Sequence, residues 1–120
     1  MKLLQHPRVE DFDLAALMHA CSDPTRLKLL LDLSHNPGKT CGTFDADVSK
    51  STLSGHFKVL REAGLIRQEH GPGNSRLNWL RINDVETRFP GVIPTVLNAL
   101  EQEISRVRVA PETNPRSGVV

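Results

Sequence analysis

Residues Ser49 to Ile66 constrain this 120-residue chain more than any other stretch, because a helical apolar period there stops abruptly and an apolar strand begins. Leu53, Phe57, Leu60 and Ala63 recur at helical spacing, which turns one face inward and leaves Ser51, Gly55 and Lys58 on the opposite face. That outward face is small and polar. Gly64 stands where a helix C-cap belongs, and Leu65-Ile66 opens the strand. A helix pressed into a DNA major groove needs short hydroxyl side chains that reach base edges and phosphates without holding the helix away, with cations nearby. Ser49, Lys50, Ser51, Thr52, Ser54, His56 and Lys58 are the candidates on that basis, with Ser49 or Ser51 as the helix cap. An ordinary amphipathic surface helix carries the same pattern, so the assignment depends on the segment C-terminal to it.

That segment is a hairpin by its pattern. Leu65 to His70 and Arg76 to Ile82 flank Gly71-Pro72-Gly73-Asn74-Ser75, a run of residues that permit tight reversal. A hairpin directly after such a helix is a wing, and Arg67, His70, Asn74, Ser75 and Arg76 are expected near its tip, within reach of phosphates or the minor groove. Trp79 and Leu80 are both apolar, so one of them faces a second packed surface. The pattern predicts a mainly α (α+β) fold: a winged helix-turn-helix with a β-hairpin wing and terminal dimerisation helices.

Two motifs carry a family resemblance. Cys21-Ser22-Asp23-Pro24-Thr25-Arg26-Leu27-Lys28-Leu29-Leu30 is similar to the opening motif of the arsenic-repressor (ArsR/SmtB) family, and Ser49 to Ile66 resembles that family's recognition helix and first wing strand. With the wing included the resemblance covers residues 12 to 82. It implies a homodimeric transcription regulator that represses by occupying double-stranded promoter DNA. Relatives carry a larger polar or basic residue where this chain has Gly55, so any base contact made from that position is absent here.

Charge supports the same face by its distribution. The formal net charge is only +1, yet residues 48–82 hold six cations (Lys50, Lys58, Arg61, Arg67, Arg76, Arg81) against two anions (Glu62, Glu69). A solvated surface of no special role is the alternative reading. The chain length and 38% hydrophobic content suit one core, expected over residues 1–109, with DNA-binding elements at about 39–82. No apolar run approaches the roughly 20 residues of a membrane span and nothing resembles a signal peptide, which points to the cytoplasm and to no membrane partner.

Elements on either side of this pair complete the expected domain. Asp11 to Cys21 reads as a short helix, apolar through Leu14, Ala15, Ala16, Leu17 and Met18 and so buried on more than one side. Ser22 or Asp23 caps the next helix, with Pro24 at its first position, Leu27, Leu30 and Leu31 as its inner stripe, and Asn36-Pro37-Gly38 as its stop. Arg26 is expected to brace the scaffold. Lys39 to Asp47 holds the first helix of the helix-turn-helix pair, short because Gly42 interrupts it. After the wing, a brief turn from Asn83 or Asp84 breaks at Phe89-Pro90-Gly91, and a longer helix begins near Val92. Its wide apolar surface (Val92, Ile93, Val96, Leu97, Leu100, Ile104, Val107), with the first helix, suits pairing with a second copy, giving dimerisation segments at about 9–21 and 91–108. Folding back onto its own domain is the alternative. Residues 110–120 read as a mobile tail.

No cofactor and no metal is expected. Metal-sensing members of the family use a Cys-x-Cys pair before the recognition helix, where this chain reads Cys41-Gly42-Thr43, and others use histidines on the last helix, whereas none comes after His70 here. Three regulatory readings stay open: none, a thiol switch at Cys41, or an unidentified small-molecule effector between the terminal helices. Cys21 reads as a buried apolar residue. A winged-helix protein-interaction module without specific DNA binding is the competing class. An enzyme is not expected, because no nucleophile, base and phosphate loop come together in the sequence.

Overall fold

The computed structural model describes residues 4–44 and 47–109, so the expected tail at 110–120 lies outside the described residues. Five helices and one hairpin run in the order α1 (Leu14–Ala20), α2 (Pro24–His35), α3 (Lys50–Glu62), β1 (Ile66–His70), β2 (Arg76–Leu80), α4 (Ile82–Arg88) and α5 (Val92–Val109). The fold is a winged helix-turn-helix, mainly helical, with the hairpin packed behind α3.

Local chemistry explains each boundary. Asp13 caps α1 by accepting from the Ala16 N–H, and Asp23 caps α2 by accepting from the Arg26 N–H, with Pro24 at the first position where its missing N–H costs nothing. Helix α1 is thus shorter than the expected Asp11 to Cys21, beginning after Phe12, whose ring joins the core. Helix α3 ends in a Schellman arrangement: Gly64 (φ +90°) donates to Arg61 O and Leu65 donates to Leu60 O at 3.0 Å each. A Cβ at position 64 would overlap the Phe12 ring, so glycine is required there for space as well as for φ.

The hairpin pairs Ile66 with Leu80 at its base and His70 with Arg76 at its tip end. A further segment runs beside β2: Gly38 N donates to Asn78 O at 2.8 Å, Asn78 N donates to Lys39 O at 3.1 Å, and Thr40 bridges to Leu77. The segment after α2 thereby covers the open edge of β2, and the expected helix there shrinks to one 3-10 turn at Cys41–Thr43. Asp45 and Ala46 lie outside the described residues.

The core gathers Phe12, Leu17, Leu30, Leu33, Phe57, Leu60, Leu65, Ile66, Val85 and Ile93, drawn from all five helices, from β1 and from the segments beside them. Three expectations are corrected here. The inner stripe of α2 is Arg26, Leu29, Leu30 and Leu33, while Leu27 and Leu31 are only half-buried, because the helix is rotated to admit the Arg26 side chain. The stretch after the wing is the two-turn helix α4, starting at Ile82, because Val85 is drawn into the core. Helix α1 buries only Leu17 and Ala20; Leu14 and Met18 stay 47% and 46% exposed in the single chain. Helix α5 buries Ile93 and Leu97, then runs on past the core until Val107 stands 73% exposed.

Candidate nucleic-acid interface

Helix α3 begins at its cap. Ser49 Oγ accepts from the Thr52 N–H at 3.2 Å and also bonds the hydroxyls of Ser51 (3.2 Å) and Thr52 (3.0 Å). One hydroxyl therefore pins the first turn and holds two others in fixed positions, a rigid polar end with N–H groups facing outward. Lys50, Ser51, Thr52, Ser54, Gly55 and Lys58 are all exposed, and a Cβ on Gly55 would meet nothing within 4 Å. The outward face expected from the period is the one observed.

His56 does not lie on it. The ring is 15% exposed and turns back to the scaffold, with Nδ1 3.1 Å from an Arg26 guanidinium nitrogen and Nε2 3.8 Å from Asp23. This removes His56 from the candidate DNA contacts. The same Arg26 donates to Ala20 O (2.8 Å) and His19 O (3.2 Å), closing the C-terminus of α1, so one buried guanidinium clamps α1, α2 and α3 together. Burial alone would raise the Asp23 carboxyl; the Arg26 backbone N–H and the charges of His56 and Arg26 outweigh it and hold the carboxyl below its ordinary range.

At the wing, Gly71 N donates to Ser75 O (2.9 Å), while Ser75 N and Ser75 Oγ both reach Pro72 O (3.2 and 2.7 Å), with Gly73 at φ +64°. Ser75 is thus committed to shaping the tip, Asn74 is exposed, and Arg76 is half-exposed beside it. Arg67 is corrected: it pairs across from Trp79 near the hairpin base, with its guanidinium 4.3 Å over that ring and an ion pair to Glu69. Stacking on the only indole fixes it away from the tip.

The charge count also contracts. Arg61 is buried, donating to Gln68 Oε1 (2.5 Å) and Gln5 O (3.2 Å), and burial pushes its pKa down. Arg81 donates to Pro7 O (2.8 Å) and Asp84 (3.1 Å) and lies over Phe12. Lys50, Lys58 and Arg76 are left as the cations of this face with no ion pair or side-chain hydrogen bond among the described residues.

Two features escaped the sequence. Gln68 (2% exposed) and Asn78 (0%) form the buried middle pair of the hairpin, where Gln68 Nε2 donates to Asn78 Oδ1 at 2.8 Å, continuing the bond from Arg61. Their amides reach Cys41 Sγ at 3.7 and 3.3 Å, so this half-buried thiol ends a polar chain tying α3, both strands and the 3-10 turn. A glutamine at an inward strand position, two after Ile66, was the available signal. The second is an N-terminal strap: Gln5, His6, Pro7 and Val9 give acceptors to Arg61, the Gln68 N–H, Arg81 and Arg88. Burial lowers the His6 pKa; a backbone hydrogen bond at Leu4 opposes this, and the charges of Arg61, Arg81 and Arg67 reinforce it. Burial raises the Cys21 thiol, in keeping with its place in the core.

A family model described as a helix-turn-helix domain matches residues 22–69, from the turn before α2 to Glu69 of β1. No curated protein matches the chain. Fold and match together show a helix-turn-helix domain, which suggests a DNA-binding regulator. No helix among the described residues is long and apolar enough to cross a membrane, and no cluster of three His, Cys, Asp or Glu side chains suited to a metal occurs among them.

Proposed function

We propose that this chain is a cytoplasmic member of the arsenic-repressor family that binds an inverted-repeat operator as a homodimer and represses by blocking promoter access. The observation that carries the reading is the α3 face itself. Ser51, Thr52, Ser54 and Lys58 are exposed beside a side-chain-free gap at Gly55, and Lys50, Lys58 and Arg76 on α3 and the wing have no ion pair among the described residues. Such a surface gains little within the protein and much against phosphates and base edges. In this reading Ser49, Lys50, Ser51, Thr52, Ser54 and Lys58 meet the major groove, and Asn74, Ser75 and Arg76 bring the wing to the flanking backbone.

The dimer half of the proposal draws on Leu14 and Met18 of α1 and Val107 of α5, large apolar side chains left exposed by a single copy. Pairing these helices across a two-fold axis buries them, and the single domain at about 1–109 would then present two α3 helices to successive major grooves about 34 Å apart. Hydroxyl-radical footprinting upstream of its own coding sequence tests both halves. Two protected half-sites one helical turn apart are expected; a single unpaired footprint would remove the dimer, and none at all would favour a protein-interaction module.

A further inference from the structure

Between the N-terminal half of α3 and the wing lies a cleft of about 780 Å³, and we propose that it binds a small organic anion with an aromatic or branched apolar body, whose occupancy excludes DNA. The inference rests on the DNA-binding reading only for that last consequence.

Size and lining make the case. The volume falls within the roughly 300–1,000 Å³ of small-molecule sites, and the lining divides into two zones as such sites do. Half-buried Val48 and Leu53 give an apolar floor, backed by the buried rings of Phe44 and Phe57, which meet edge-to-face at 5.2 Å between centroids. Lys50 and Arg76 stand on its lining from opposite sides, one on α3 and one on β2, and no Asp or Glu is among the described residues that line it. Neither cation has an ion pair or side-chain hydrogen bond among the described residues, so a carboxylate or sulfonate entering the cleft meets positive charge that none of these residues satisfies, with a guanidinium fork on one side to receive it. The neighbouring cleft behind α2 differs in this respect: its Lys28 and Lys39 are accompanied by Asp32 and Asp47, and Lys39 is bonded to Asp32 at 2.6 Å.

The floor argues against a phosphodiester as the whole explanation. A DNA strand crossing between α3 and the wing uses the cations on the rim and has no need of the branched aliphatic surface of Val48 and Leu53 below them. A ligand seated on that floor with its anion on Lys50 and Arg76 takes from DNA two of the three uncompensated cations of the interface.

The test uses the full ¹⁵N-labelled chain and 2-naphthoate as probe. Amide resonances of Cys41, Val48, Leu53, Gln68 and Arg76 are expected to shift together along one saturable curve, and the neutral isostere 2-naphthylmethanol to bind about tenfold or more weakly. Val48→Trp, which fills the cleft from its floor, should abolish the naphthoate shifts while leaving the helical circular dichroism unchanged. Absence of saturable shifts at millimolar probe, shifts confined to α1 and α5, or equal binding of the neutral isostere would each overturn the proposal. Competition is read separately, as a rise in the apparent Kd for labelled operator with added naphthoate. Naphthoate binding by a protein that binds no DNA would uphold the ligand site and overturn its regulatory consequence, whereas DNA binding without naphthoate binding would sink the cleft proposal alone.

Discussion

Gly55 allows stability and recognition to be separated at one position. It lies in the interior of α3 with ordinary helical φ, exposed, and an added Cβ meets nothing within 4 Å. Gly55→Ala therefore changes only helix propensity and should stabilise the fold by about 0.8–1.0 kcal/mol. For a domain of this size that corresponds to a rise in Tm of about 4 °C, measured at fixed protein concentration because dimerisation would couple to unfolding. Gly55→Leu should also be tolerated by the fold, since the space around the position is open. Its effect on DNA should be opposite. A four-carbon side chain on a face that lies against base edges holds the helix out of the groove, and a loss of at least about tenfold in operator affinity is expected. The assays are thermal unfolding monitored by circular dichroism and operator binding by fluorescence anisotropy. Destabilisation by alanine would show that the glycine is buried or non-helical. Undiminished operator binding by the leucine variant would show that this face of α3 does not enter a groove, and the reasoning from the small outward face would fail.

Other expectations rest on single contacts. Gly64→Ala should destabilise by about 2–4 kcal/mol in urea denaturation, combining a left-handed φ of +90° with overlap on the Phe12 ring. Lys58→Ala and Arg76→Ala should each weaken binding to any duplex and reduce the magnitude of the salt slope by about 1, while Ser51→Ala should change sequence preference instead. His6 Nε2 accepts the Gln68 N–H and its pKa is depressed, so the unfolded chain binds the proton first; stability is complete above about pH 6.5 and falls as the pH drops through the folded-state value. His6→Gln should flatten that pH dependence in denaturation series taken between neutral and mildly acid pH.

The parts legible in the sequence were those set by local rules. The Phe57-Leu60-Ala63 face, Gly64 as stop and the Gly71–Ser75 turn depend on nearest neighbours and lie where the residue pattern places them, and of the two candidate caps, Ser49 and Ser51, the cap is Ser49. The scaffold role of Arg26 is legible too, but its partner is not, because His56 lies 30 residues further along and only tertiary packing turns its ring inward. Formal charge misled for the same reason. Arg61 and Arg81 counted as surface cations, yet each reaches a backbone carbonyl of the N-terminal strap, a segment whose sequence, Gln5-His6-Pro7, shows no period at all. Arg67 was assigned to the wing tip by proximity in sequence, and hairpin register moved it to the base. Cys41 stood out as a helix-terminal thiol, and the structure instead places it at the head of a three-residue 3-10 turn, facing two buried amides.

The central claim, that the α3 face and wing read a specific DNA site, is tested most directly by fluorescence anisotropy of the purified protein with duplex from its own upstream region and with random duplex across a salt series. The account predicts tight binding to the upstream duplex, with affinity falling steeply with salt on both DNAs and a preference for the upstream sequence that persists as salt rises. Equal affinity for the two duplexes at every salt concentration, or binding insensitive to salt, would contradict it.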